Sequence, residues 1–167
     1  VNIQNGNGFT ALMESSIKSK QEIVNLLLDH GADVNIKCND GSTGLMWASC
    51  KGHKDVAKLL MDYGAEINMQ DNEGSTALMK VSVKGYDEVV NLLLDHGADI
   101  NMQDNDGSTA LMKASYHGQK EVIKLLLDYG ADANMKNNNG LTALMMACYE
   151  GHKEVMMCLL GMSESES

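Results

Sequence analysis

The 167-residue chain has no arginine and no proline, and only one tryptophan and one phenylalanine beside five tyrosines. Every one of its 13 basic side chains is therefore lysine, set against 23 acidic ones, for a formal net charge of -10. An acidic chain without guanidinium forks has no bidentate grip on phosphate, so nucleic acid is not an expected partner. The joint absence of proline and arginine, beside abundant Asn and Lys, fits an AT-rich coding sequence and implies no mechanism. Cysteine is sparse: Cys38, Cys50, Cys148 and Cys158 form no Cys-x-x-Cys pair and no secreted disulfide scaffold, which points to reduced thiols in the cytoplasm or nucleus. No signal-peptide pattern and no apolar run of membrane length is present, and a membrane is not among the expected partners. The serines fall in recurring slots such as Ser42, Ser75 and Ser108 or in the tail, so no Ser/His/Asp constellation stands out. No catalytic residues, metal site or cofactor are expected.

What the chain does have is a period of 33 residues. Gly8, Gly41, Gly74, Gly107 and Gly140 open the same phrase, and Gly74-Ser-Thr-Ala-Leu-Met aligns with Gly107-Ser-Thr-Ala-Leu-Met without a gap. A fixed period of this length signals a stacked solenoid in which each unit buries its apolar face only against its neighbours. Much of the charge repeats with it, as in Glu22, Asp55, Glu88, Glu121 and Glu154, and is read as scaffold. Val1-Asn2-Ile3-Gln4 matches Val34-Asn35-Ile36-Lys37, so residues 1–7 read as the end of a preceding repeat and the chain as a piece of a longer array. Residues 8–160 form the array, and 161–167 an acidic, disordered tail with Ser163 open to phosphorylation.

Within one unit, Thr76 is placed to cap a first helix, Ala77, Leu78 and Val81 give it an apolar face, and Gly85 ends it. A second helix runs from about Asp87, with Val89, Val90, Leu92, Leu93 and Leu94 supplying more than one apolar stripe until Gly97. Ala98-Asp99-Ile100-Asn101 leads out as an extended arm, and Asp106-Gly107 signals a tight turn back to the next threonine. The five copies predict first helices near 10–18, 43–51, 76–84, 109–117 and 142–150. Second helices are expected near 22–29, 55–62, 88–95, 121–128 and 154–160.

These residues resemble the ankyrin repeat, most specifically in Gly97-Ala-Asp-Ile-Asn101, Gly151-His152-Lys-Glu-Val155 and Leu92-Leu93-Leu94. The resemblance implies an all-α solenoid of stacked helix-turn-helix units with β-hairpin-like finger loops. Ala11, Gly44, Ala77, Ala110 and Ala143 stand where the family has proline. Met13, Met46, Met79, Met112 and Met145 stand where it has histidine, which removes the family's threonine-to-histidine hydrogen bond and leaves threonine capping and methionine packing. Those five, with Met69, Met102 and Met135, place eight of the 13 methionines in repeat registers, as gap-filling side chains rather than a sticky surface. Met146, Met156, Met157 and Met162 instead make the last repeat apolar, so that either another element covers it or this end self-associates.

His53 and His152 sit in the family's Gly-His turn; a zinc site with Cys50 or Cys148 would lack two ligands. Asn35, Asn68, Asn101 and Asn134 are expected to close the exit-arm turn. The spacings Leu27 to Asn35 and Leu93 to Asn101 also resemble targets of asparaginyl hydroxylases.

In ankyrin-like stacks the first helices and finger tips line a concave face that binds partners. Here its rows read Glu14, Trp47, Lys80, Lys113, Met146; then Ile17, Cys50, Val83, Tyr116, Tyr149; then Lys18, Lys51, Lys84, His117, Glu150. An aromatic and apolar seam beside a lysine ladder is either an extension of inter-repeat packing or a contact surface. The expected function is protein–protein interaction as a scaffold or recruiting module, through Trp47, Lys80, Lys84, Lys113, Tyr116 and Tyr149. The partner is expected to be an acidic protein or peptide with apolar anchors; a structural spacer is the alternative.

Overall fold

The computed structural model describes residues 1–162; 163–167, which hold Ser163 and most of the expected tail, lie outside the described residues. Among the described residues there are ten helices and no strand. The first helices of the five repeats are α1 (Ala11–Ile17), α3 (Gly44–Cys50), α5 (Ala77–Lys84), α7 (Ala110–Tyr116) and α9 (Ala143–Glu150). The second helices are α2 (Gln21–Asp29), α4 (Lys54–Asp62), α6 (Asp87–Asp95), α8 (Lys120–Asp128) and α10 (Lys153–Leu159). All lie within a residue or two of the spans expected from the period.

Each first helix starts on threonine. Thr10, Thr43, Thr76, Thr109 and Thr142 have extended backbone, and each hydroxyl accepts the N–H of the methionine three residues on. The methionine side chain turns inward: Met13, Met46, Met79 and Met112 are each 1% exposed. The second helices have no side-chain cap. Glu22, Asp55, Asp87, Glu88, Glu121 and Glu154 occupy their first turns, where a carboxylate meets the positive end of the helix dipole. That electrostatic preference explains why this charge recurs with the repeat.

The stack has two layers of helix and a row of fingers. First helices pack on first helices more closely than second helices pack on second, so the first-helix side is concave. A continuous apolar ribbon from Leu12 to Val155 fills the space between the layers. The fingers are hairpin-like turns: Asp71 donates its N–H to the Ser75 carbonyl, and its Oδ1 accepts the N–H groups of Glu73 and Ser75. The next finger closes over Gly74, whose φ is +77° and where a Cβ would sit 2.7 Å from the Asn105 nitrogen. Glycine is required there for both reasons.

Side-chain ladders tie the fingers together. Asn39, Asn72, Asn105 and Asn138 donate through Nδ2 to the carbonyls of Gly6, Asn39, Asn72 and Asn105, one repeat earlier, at 2.9–3.1 Å. The exit-arm asparagines correct the expectation that they close a local turn. Asn35, Asn68 and Asn101 accept, at 2.8–2.9 Å, the N–H of Glu66, Asp99 and Asp132 in the following repeat. The local turn is closed by Asp33, Asp99 and Asp132, which accept the N–H of Asn35, Asn101 and Asn134. Gly161 and Met162 finish α10, with the Met162 N–H bonded to the Met157 carbonyl.

Two positions depart from the repeat at a conformational cost. Ser19 has φ +54° in the slot that Gly52, Gly85, Gly118 and Gly151 fill elsewhere. Gly44 is helical where the other repeats carry alanine, and a Cβ there would meet only ordinary contacts, Leu60 Cδ1 and Ser16 Oγ at 3.8 Å. Ser19→Gly and Gly44→Ala are each expected to stabilise the fold, by about 0.5–1 kcal/mol, through relief of left-handed strain and of glycine entropy respectively. Urea unfolding checks both; an unchanged or lower midpoint for Gly44→Ala would mean that the glycine makes room for motion of its neighbours.

Candidate functional site on the concave face

The concave helices are short and their threonine starts are superimposable, so residues in one register stand in a row. Between α3, α5 and α7 this arrangement leaves a hollow of about 270 Å³, lined by Cys50, Glu73, Ser75, Met79, Lys80, Val83, Lys84 and Lys113. Three of the expected contact residues, Lys80, Lys84 and Lys113, meet there. Trp47, Tyr116 and Tyr149 do not line the hollow. Trp47 leans on Phe9 (ring centroids 5.5 Å apart, planes at 44°). Tyr116 is 44% exposed and Tyr149 85%, with the Glu150 carboxylate beside the Tyr116 phenol raising its pKa.

The lysines are not equivalent. Lys80 Nζ lies 2.5 Å from Asp71 Oδ2 and Lys113 Nζ 2.6 Å from Asp104 Oδ2, and both aspartate side chains are only 3% exposed. Those aspartates also hold the finger turns. Each lysine therefore neutralises a buried carboxylate of the finger that leads into its own helix, and removing it would strand that charge. Lys84 is exposed and in no ion pair among the described residues. The seam's free positive charge is thus smaller than its lysine count, which composition alone does not reveal. The signal was nevertheless in the sequence, because Asp71 and Asp104 stand nine residues before Lys80 and Lys113, whereas Cys38 stands nine before Trp47 and Asn137 nine before Met146.

Repeat 2 shows what replaces the ion pair. Cys38 takes the aspartate slot, and Asp40, two residues on, accepts the Ser42 N–H at 2.8 Å and the Cys38 thiol at 2.9 Å. Partial burial and the Asp40 hydrogen bond push the Cys38 thiol up, against a smaller lowering from the nearby Trp47 indole. The indole Nε1 itself is buried without a hydrogen-bond partner in good geometry. Cys50, in the hollow, is pushed up by burial, an effect only partly offset by the ammonium groups of Lys51, Lys80 and Lys84.

His53 and His152 direct Nε2 to the carbonyls of Ile17 and Tyr116 in the preceding repeat, both at 2.9 Å, so these rings are inter-repeat ties. No group of three or more His, Cys, Asp or Glu among the described residues is arranged to hold a metal. No helix among them is long and apolar enough to cross a membrane. A larger hollow of about 390 Å³ lies on the outer side around Asp87, Glu88, Asn91 and Asp95. Two of its carboxylates are already engaged, Glu88 with Lys54 and Asp95 with Asn91 and Tyr129.

The thiols provide a check on this electrostatic picture. With iodoacetamide at neutral pH, exposed Cys148 is expected to react first, while Cys50 lags and buried Cys38 reacts last. Cys50 reacting first would mean that its lysines outweigh its burial.

A search of curated proteins returns no match. A family model for ankyrin repeats in three copies matches residues 1–71, 37–104 and 63–137, and a single ankyrin repeat matches 139–165. Such repeats are generally protein–protein interaction modules without catalytic activity. Matched along nearly its whole length and built of stacked helix pairs with bonded fingers, the chain belongs to the ankyrin repeat family.

Proposed function

We propose that this array recruits a partner protein by binding an extended segment of it along the concave face of α3, α5 and α7. The observation that carries the reading is the hollow itself: an apolar floor of Met79 and Val83 beside the exposed ammonium of Lys84. Charge accounting refines the expected ligand. With Lys80 and Lys113 already neutralised, the site suits an apolar segment bearing a single carboxylate that meets Lys84. The Phe9–Trp47 pair at one end and Tyr116 with Tyr149 at the other are aromatic surfaces on which such a segment anchors. The free cysteines agree with a reducing compartment, cytoplasm or nucleus.

Two other readings have an observation behind them. Regular finger ladders suit a structural spacer, which would have no dedicated ligand. Self-association through the last repeat draws on Met145, 49% exposed where its four register-mates are 1%; Met145→Lys would then shift a sedimenting dimer to monomer.

Selection of peptides from a random display library against the chain tests the main reading. Enriched peptides are expected to combine apolar residues with Asp or Glu. Trp47→Ala is expected to weaken their binding by about tenfold or more, and Lys84→Glu to slow association and flatten its salt dependence. The outer-face changes Glu88→Ala and Lys124→Ala are expected to leave binding within about twofold. No enrichment favours the spacer, and loss of binding with the outer-face changes alone moves the interface to the second helices.

A further inference from the structure

Every repeat covers the next with the same kind of apolar surface, and the helices of the second and third repeats pack on each other no less closely than those of the first and second, so packing does not set the junction between the second and third repeats apart from the others. The side-chain ties across them do. At the turn between first and second helix, His53 reaches the Ile17 carbonyl, Gln119 donates to the Val83 carbonyl and His152 reaches the Tyr116 carbonyl, at 2.9–3.0 Å. The same slot in the third repeat holds Tyr86, which makes no such bond; its ring lies over Gly52. At the ends of the outer helices, Tyr63 donates to Asp29 and Tyr129 to Asp95 and Asn91 of the preceding repeat. The slot between them holds His96, whose Nδ1 turns to the Leu92 carbonyl of its own helix, 2.8 Å away.

A third difference sits inside α3. Ser16, Ser82 and Ser115 donate to the carbonyls of Leu12, Leu78 and Leu111, four residues back. Ser49, in the same register and fully buried, has no hydrogen-bond partner among the described residues, and neither does Ser42 Oγ. Two ties missing at one junction and unsatisfied hydroxyls in the repeat before it coincide between α3–α4 and α5–α6. Finger bonds remain there, from Asn72 to Asn39, Gln70 to Gln103 and Asp99 to Asn68, with the Lys54–Glu88 pair at 3.3 Å, which is exposed and contributes little.

We infer that the stack opens first between the second and third repeats, so that it behaves as two cooperative blocks, residues 8–70 and 71–160, the finger turn of Asp71 staying with the helix it leads into. Repeat arrays are sums of unit and junction terms, and cooperativity breaks where a junction term is weak; among the described residues only this junction lacks both ties, since the fourth keeps the His152 bond and has Met162 in the outer slot. The concave hollow crosses this joint, with Cys50 on one side and Met79, Val83 and Lys84 on the other. On the proposed reading of that hollow as a peptide site, an occupant gripping both sides binds the closed joint better than the open one and shifts the stack towards closure.

Hydrogen exchange of the ligand-free chain in low urea tests the joint independently of any ligand. Amides of α1–α4 and of α5–α10 are expected to exchange as two groups with different urea dependences, separated between residues 62 and 77. Tyr86→His with His96→Tyr supplies the two missing bonds; it is expected to merge the groups and slow exchange in the weaker one by about tenfold or more. If that pair of changes disturbs the fold, the map of the unaltered chain still decides. A single exchange group in the unaltered chain, a break at another junction, or a folded variant with an unchanged break would overturn the inference. An intact joint would leave the peptide-binding reading standing, and an open one would survive the failure of that reading.

Discussion

Everything in this structure depends on each repeat being covered by the next. A helix pair with leucines and valines on more than one stripe has no stable fate alone, and stacking supplies the missing half of its core. The methionine at the third position of each first helix measures the effect: 1% exposed in the four repeats that have a following neighbour and 49% in the fifth. The finger ladders and histidine ties act at the edges of that apolar contact. They fix the register between repeats, and burial provides the main driving force.

Much of this was legible in the sequence because it repeats. A single glycine or threonine is weak evidence for a helix boundary, but five copies at one spacing leave little freedom, and the helix spans and threonine caps follow. What escaped were interactions joining different repeats through side chains whose local chemistry suggests something nearer. Asn35 and Asn101 look like turn-closing residues and instead bind backbone 31 residues on. Within a repeat, Lys80 and Lys113 look like a binding ladder, but their ammonium groups face buried aspartates of the fingers that lead into their own helices. Only comparing one repeat with another, aspartate with cysteine and lysine with tryptophan, would have exposed that pairing beforehand.

The second repeat gathers most of the departures. Cysteine for aspartate, tryptophan for lysine, glycine for alanine and the three buried unpaired polar atoms, Ser42 Oγ, Trp47 Nε1 and Ser49 Oγ, all lie in it or its leading finger. Local violations of a repeat's own rules lower stability, and they persist where another demand is met. Here they border the concave hollow and the junction that lacks both the turn tie and the outer-helix tie, so recognition and flexibility are read from the same short stretch of chain. The outer helices keep the repeat's rules more closely and are read as scaffold.

The central claim is that the scaffold lies in what repeats and recognition in what departs from it. Cys38→Asp with Trp47→Lys tests it most directly, by writing the ion pair of the third repeat into the second. Urea stability and affinity for peptides selected on the unaltered chain would be measured together. The account predicts an equal or higher unfolding midpoint and loss of most of the affinity. A chain that unfolds earlier yet binds those peptides unchanged would contradict it.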